Sequence, residues 1–227
     1  MPSLLLWPYV VLGVLARHDS PIVIERPMNR VEFDDLLMEY NRDQGPTAIV
    51  NVNVSLTVNS IRIADDVLRT SITLQQRWTD PRLLFKGVSE VPLPNNVHPW
   101  QPDTVVVNAL HSEIITTSSF LNYDGAIRKR QLLSIDVPCV VSSEESECPI
   151  ELTSFSNRGV ELITYNVETI NSDRISRISN TTVTYLSPPE DNHRHHSTII
   201  TLIVEKSQHP GDLLDQISGV AHFPGHV

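Results

Sequence analysis

Two clusters of ionisable side chains could do chemistry in this chain. Cys139 and Cys148 enclose Val140-Val141-Ser142-Ser143-Glu144-Glu145-Ser146-Glu147, a short loop with three carboxylates. Glu144, Glu145 and Glu147 suit a hard cation that takes oxygen ligands and tolerates irregular geometry, which describes calcium. The same acids would equally make a solvated turn. The second cluster is Glu190-Asp191-Asn192-His193-Arg194-His195-His196, in which Glu190 and Asp191 add further candidate calcium ligands. Its imidazoles, titrating at about pH 6.5 when unperturbed, could hold a transition metal or, once protonated, an anion such as carbonate. Without a ligand they form a polar loop. The basic run Arg128-Lys129-Arg130 reads as a solvated strand end rather than an anion site. No serine nucleophile with a positioned base and orienting group can be nominated from spacing, so an enzyme is not predicted.

These clusters need a frame, and 227 residues suffice for one all-β domain with its own core. The net charge of -10 argues against nucleic acid, whose phosphates require clustered Lys and Arg, and favours cations or basic partners. Residues 1–16 read as a secretory signal: an apolar run over 4–15 meets Ala16 and a polar change at Arg17. That run is shorter than the roughly 20 apolar residues of a membrane anchor. The expected location is therefore extracellular fluid. In an oxidising compartment two cysteines most simply pair, and closing so short a loop stabilises by about 2–3 kcal/mol.

Residues 27–41 place Val31, Phe33, Leu36, Leu37 and Tyr40 near helical spacing, with Asp34 and Asp35 early, and predict one N-terminal amphipathic helix. Beyond it, segments rich in Val, Ile and Thr alternate apolar with polar residues between Pro, Gly, Asn and Ser clusters. Strands are expected over 48–59, 66–78, 104–108, 114–123, 125–135, 151–154, 160–170, 181–186 and 198–205. The pattern is that of an all-β, immunoglobulin-like sandwich of about ten strands over residues 17–206, with a flexible tail over 207–227. Asn122-Tyr123-Asp124-Gly125 signals a tight hairpin. Asn180-Thr181-Thr182 and Asn53-Val54-Ser55 are glycosylation sequons, used or unused.

Trp78-Thr79-Asp80-Pro81-Arg82-Leu83, then Trp100-Gln101-Pro102-Asp103, then Cys139 and Cys148 resemble, in that order, the extracellular domain of the Cys-loop ligand-gated receptors. With no membrane-spanning run after them, the chain is more similar to the soluble molluscan acetylcholine-binding proteins. The resemblance implies structural roles for the two tryptophans and for Asp80, Pro102 and Asp103. It also implies pentamers, or two stacked as a decamer, with a cation held at the subunit interface by aromatic rings. Here Thr73, Val107 and Phe155 stand where the family places Trp, Tyr and Trp. Tyr185 is kept, and Leu186-Ser187-Pro188-Pro189 replaces an adjacent cysteine pair. Each ring over a desolvated cation contributes roughly 0.5–2 kcal/mol, so these losses would remove orders of magnitude in affinity.

The chain then resembles the biomineralisation members of the family, the amorphous calcium carbonate-binding proteins of molluscan extrapallial fluid. That likeness implies calcium and calcium carbonate mineral as partners and restraint of crystal growth as the role. Asp65, Asp66 and Glu90 are further acids that a ring would repeat around its axis. Millimolar extracellular calcium loads sites with dissociation constants of about 0.1–1 mM. The other reading is an acetylcholine-binding protein with a divergent pocket.

Overall fold

The computed structural model describes residues 32–87, 89–157, 159–170, 176–187 and 196–206. The expected signal and tail, and Glu190, Asp191, His193 and His195, lie outside the described residues.

A short helix, α1 (Phe33–Leu36), precedes eleven strands among the described residues: β1 (Val50–Ala64), β2 (Val67–Thr79), β3 (Val91–Pro92), β4 (Thr104–Val106), β5 (His111–Leu121), β6 (Ala126–Pro138), β7 (Val140–Val141), β8 (Glu145–Ser154), β9 (Val160–Thr169), β10 (Ser176–Leu186) and β11 (Ser197–Lys206). Six form a sheet in the order β3-β5-β6-β2-β1-β9. The other sheet runs β10-β11-β8-β4, with β7 also paired to β8. Pairing is antiparallel except between β1 and β9, which run parallel. Period-2 alternation dictates the packing. Val50, Val52, Val54, Leu56 and Val58 of β1 and Leu68, Ile72, Leu74 and Trp78 of β2 turn inward. They meet Cys148, Ile150 and Leu152 of β8 and Ile200, Leu202 and Val204 of β11 in a single cluster. The all-β sandwich expected from the sequence is the observed fold. No described helix is long and apolar enough to cross a membrane.

Three local expectations need correction. Within the described residues the helix covers only Phe33–Leu36: Glu32 makes no side-chain cap, Leu37 leaves helical geometry, and no helical residue is fully buried. A four-residue helix gains too few hydrogen bonds to extend without such support. Its apolar side chains Phe33 and Leu36, with Leu37 and Tyr40, still pack on the core. The segment between the cysteines is not one loop, because β7 pairs Val140 with Glu147 and Val141 with Ser146, and β8 begins at Glu145. Finally, Arg128-Lys129-Arg130 sits in β6, which is paired on both sides, and not at a solvated strand end.

Turns follow their residue types. Asp65 and Asp66 join β1 to β2 with φ of 53° and 59°, the pair of positive values that a two-residue hairpin of this twist requires. At the β5–β6 hairpin only Gly125 has positive φ, 79°. Its N–H donates to the Asn122 carbonyl at 3.0 Å, and its own carbonyl accepts from Asp80 N–H at 2.9 Å. A disulfide joins Cys139, just after β6, to Cys148 of β8, and so ties one sheet to the other.

Asp80 is the polar centre of this end of the sandwich. Its carboxylate is fully buried and accepts from Tyr40 Oη at 2.6 Å, from Arg82 Nε at 2.8 Å and Nη2 at 2.7 Å, and from Arg82 N–H at 3.1 Å. Tyr40 Oη in turn accepts from Trp100 N–H at 2.9 Å, and the Trp100 ring meets Trp78 edge-on at 6.2 Å. Asp80→Asn keeps the shape but leaves Arg82 without its counter-charge. The expected loss is about 3 kcal/mol in urea unfolding. Gly125→Ala adds a Cβ that collides with the Asp80 carbonyl at a positive φ. It should cost about 1–3 kcal/mol in the same measurement.

Candidate functional site

Asp103 shapes the segment that carries Phe155. Its carboxylate accepts from the Ser154 and Ser156 hydroxyls and from Ser156 N–H, the last at 2.6 Å. Its carbonyl accepts from Phe155 N–H at 3.2 Å. The backbone of residues 154–156 is thus wrapped on one aspartate, and Phe155 at its middle is left 73% exposed. Burial pushes the Asp103 carboxyl up, but the hydrogen bonds from Ser154, Ser156 and Asn157 outweigh it and hold it below the usual carboxylate range. Lys129 alternates inward on β6 between Arg128 and Arg130. Burial pushes its ammonium below the ordinary lysine value, partly offset by the charge of Asp103.

The four expected cage positions lie on different parts of the fold. Tyr185 shares a row with Thr198 and Leu152 across β10, β11 and β8. It donates its hydroxyl to the Thr164 carbonyl of β9 at 2.8 Å. Val107 follows β4, 53% exposed, with its N–H on the Glu151 carbonyl at 2.9 Å. Thr73 is on the outer face of the six-stranded sheet, between Thr57 and Leu132 in register. Its Oγ1 accepts from Asn59 Nδ2 at 3.0 Å. Val107, Phe155 and Tyr185 belong to one sheet and its flanks and Thr73 to the other, so no single cage forms within one chain.

The two tryptophan motifs, the buried Asp80 they surround and the intersheet disulfide make up this arrangement. The sequence pattern of the neurotransmitter-gated ion-channel ligand binding domain matches residues 30–201. The chain belongs to that family. Membership accounts for the sandwich and the disulfide. Val107 and Thr73, two of the expected cage positions, carry an aliphatic and a hydroxyl side chain and no ring.

The acidic residues lie elsewhere. Glu145 and Glu147 alternate with the buried Ser146 and Cys148 and therefore point outward from the five-stranded sheet. Glu144 is in the exposed turn before them, where Ser142 N–H and Oγ both donate to the Glu145 carbonyl, at 2.8 and 2.7 Å. Among the described residues no three His, Cys, Asp or Glu side chains gather as a metal site. Glu205 of β11 faces Glu145 directly, with Arg177 of β10 on its other side. Glu205 escaped the sequence reading because cross-strand register is not written in spacing along one strand. Asn180 and Asn53, the sequon asparagines, are both exposed on strands.

Asp80 and Asp103 have carboxyls held below their unfolded values: burial raises each, and their hydrogen-bond donors more than compensate. Their stabilisation is complete above the unfolded aspartate pKa of about 3.9 and is lost as pH falls through the lower folded values. Stability should therefore hold at neutral pH and fall in acid below about pH 4. Asp103→Ala should cost about 1–3 kcal/mol and flatten part of that acid limb. It should also raise hydrogen exchange at the amides of Phe155 and Ser156, as chemical denaturation and exchange mass spectrometry will measure.

Proposed function

We propose that this chain is an extracellular, ring-forming binding module of its family that acts on calcium and calcium carbonate rather than on a quaternary ammonium, and that it restrains crystal growth by capping mineral surfaces. The observation that supports this reading is the outward array of Glu145, Glu147 and Glu205, with Glu145 and Glu205 opposed across β8 and β11. Like charges directly opposite weaken a sheet, and a shared cation relieves them. Carboxylates spread over a flat strand face suit weak, repeated coordination of surface calcium better than capture of a single ion. A ring repeats the array, and simultaneous engagement raises avidity without any tight site. An exposed valine, Val107, and a threonine engaged with Asn59, Thr73, offer no negative ring face to a quaternary ammonium.

Isothermal titration of the purified protein with calcium and, separately, with acetylcholine tests the reading. Calcium heat in the millimolar range without acetylcholine heat is the expected result. The triple change Glu145→Gln, Glu147→Gln, Glu205→Gln should lower calcium uptake several-fold and leave the oligomer intact by light scattering. Unchanged uptake would move calcium away from β8 and β11. Micromolar acetylcholine binding would overturn the proposal in favour of a neurotransmitter-binding protein.

A further inference from the structure

The five-stranded sheet ends in an open edge. β10 is hydrogen-bonded to β11, and among the described residues no strand pairs with its other side. The free N–H and C=O groups of such an edge form a template that a second chain can extend. Residues 179–186 favour that outcome, being rich in Thr with Val and Tyr among them and containing no Asp, Glu, Lys, Arg or Pro. They are exposed on both faces, Thr182 and Thr184 on one and Val183 and Tyr185 on the other, with Thr181 half-buried. Natural edges are blunted by shortness, charge, proline or a bulge. β3 and β4 are two and three residues long, and β9 carries Glu161 and Glu168. On β10 the one charged residue is Arg177, next to its start.

What β10 has instead is a bulge with Asn180 on it. Pairing with β11 slips between Ile178 and Asn180, where Ser179 is the extra residue and its hydroxyl donates to the Ile203 carbonyl at 3.2 Å. Beyond the slip, Asn180 stands in one row with Ile203 and the outward Glu147, on the outer face of the sheet. Its Oδ1 accepts from Thr181 N–H at 2.8 Å, which orients the amide and leaves Nδ2 without a partner among the described residues. Thr182, which completes the sequon, is exposed two residues further on. Asn53, of the other sequon, differs in place: it lies inside β1, paired with Arg77 of β2 on one side and Ile163 of β9 on the other, where there is no edge to cover.

We propose that Asn180 carries an N-linked glycan and that this glycan keeps the open edge of β10 from pairing with the same edge of another copy. The proposal rests on the extracellular reading above, because the modification requires passage through the secretory compartment. There Asn180 Nδ2 bonds to the anomeric carbon of an oligosaccharide carried on a lipid diphosphate. The bond from that carbon to the diphosphate oxygen breaks, the lipid diphosphate leaves with the electron pair, and the amide nitrogen gives up one proton. A bulky, hydrated sugar rooted beside the edge leaves no room for a second sheet to align with it. The glycan thus does on β10 what two carboxylates do on β9.

The full chain, secreted from insect cells behind an appended signal peptide, provides the test. Peptide mass spectrometry is expected to find a glycan on Asn180. Thr182→Ala and Thr182→Lys both destroy the sequon at an exposed position. Thr182→Ala leaves the edge bare and should at least double the mass found by light scattering at equal protein concentration. Thr182→Lys puts a charge on the edge and should keep the mass of the unaltered protein apart from the lost sugar. Enzymatic removal of the glycan from the folded, unaltered protein should reproduce the Thr182→Ala result, which separates the edge effect from any folding defect of the variants. An unmodified Asn180 in the secreted protein, or the same oligomer mass for both variants, would overturn the proposal. The chain expressed without the appended signal reports on the extracellular reading separately, since its retention in the cell would count against that reading and leave the secreted sample to decide the edge.

Discussion

The whole arrangement leans on one buried charge. Asp80 has no exposed side-chain surface, and an isolated carboxylate in that position would be prohibitively costly. What makes it tolerable is the completeness of its shell. Both Arg82 contacts, the Tyr40 hydroxyl and the Arg82 amide use the oxygen lone pairs, and Arg82 also lies 4.4 Å from the Tyr40 ring centre. Through Tyr40 the same shell holds Trp100 N–H. Through Arg82 it holds the carbonyls of Asn41 and Gln44 at 3.1 and 3.0 Å. The segment after α1, the end of β2 and the loop leading to β4 are therefore registered on a single anion. Gly125 joins them because only a residue without Cβ can approach the Asp80 backbone so closely.

From that anchor the chain reaches Asp103, three residues beyond Trp100, and Asp103 repeats the device at the surface. One carboxylate, fed by two hydroxyls and a backbone N–H, sets the path of residues 154–156. The two aspartates thus perform the same physical task at different depths: an ionised side chain gathers donors from segments far apart in sequence and removes their freedom. Framework and the Phe155 segment are coupled, since the turn that presents Asp103 is fixed by Trp100, and Trp100 by Tyr40 and Asp80.

Much of the fold was legible because its signals are local. Alternation in 50–58 and 67–78, the Asn-Tyr-Asp-Gly hairpin, the paired cysteines and the tryptophan motifs each need only a few neighbouring residues to be read. What escaped was set by partners distant in sequence. The acids after Cys139 looked like a loop because Ser142, Ser143 and the carboxylates are poor strand formers. Pairing of Glu145 to Glu205 and of Glu147 to Val140 nevertheless draws them into a ladder. The expected helix shortened because its apolar residues serve contacts of the following turn as much as the helix. Arg128-Lys129-Arg130 looked uniformly solvated, yet alternation sends the middle lysine inward and its neighbours outward, where Arg77 waits on a strand fifty residues earlier.

That last case shows why composition is a poor guide to the partners of a sandwich. A net charge of -10 describes the average of two unlike surfaces. Glu145, Glu147 and Glu205 look out from one sheet, while Arg77, Arg128 and Arg130 look out from the other, with the apolar core between them. Exposed charges farther apart than about 8–10 Å are screened from each other at physiological salt, so each face presents its own local field. Because stacked sheets lie about 10 Å apart, neither face can neutralise the other. A local excess of guanidinium groups consequently persists on an acidic protein, and the field there is set by the two or three side chains within reach rather than by the sign of the whole molecule.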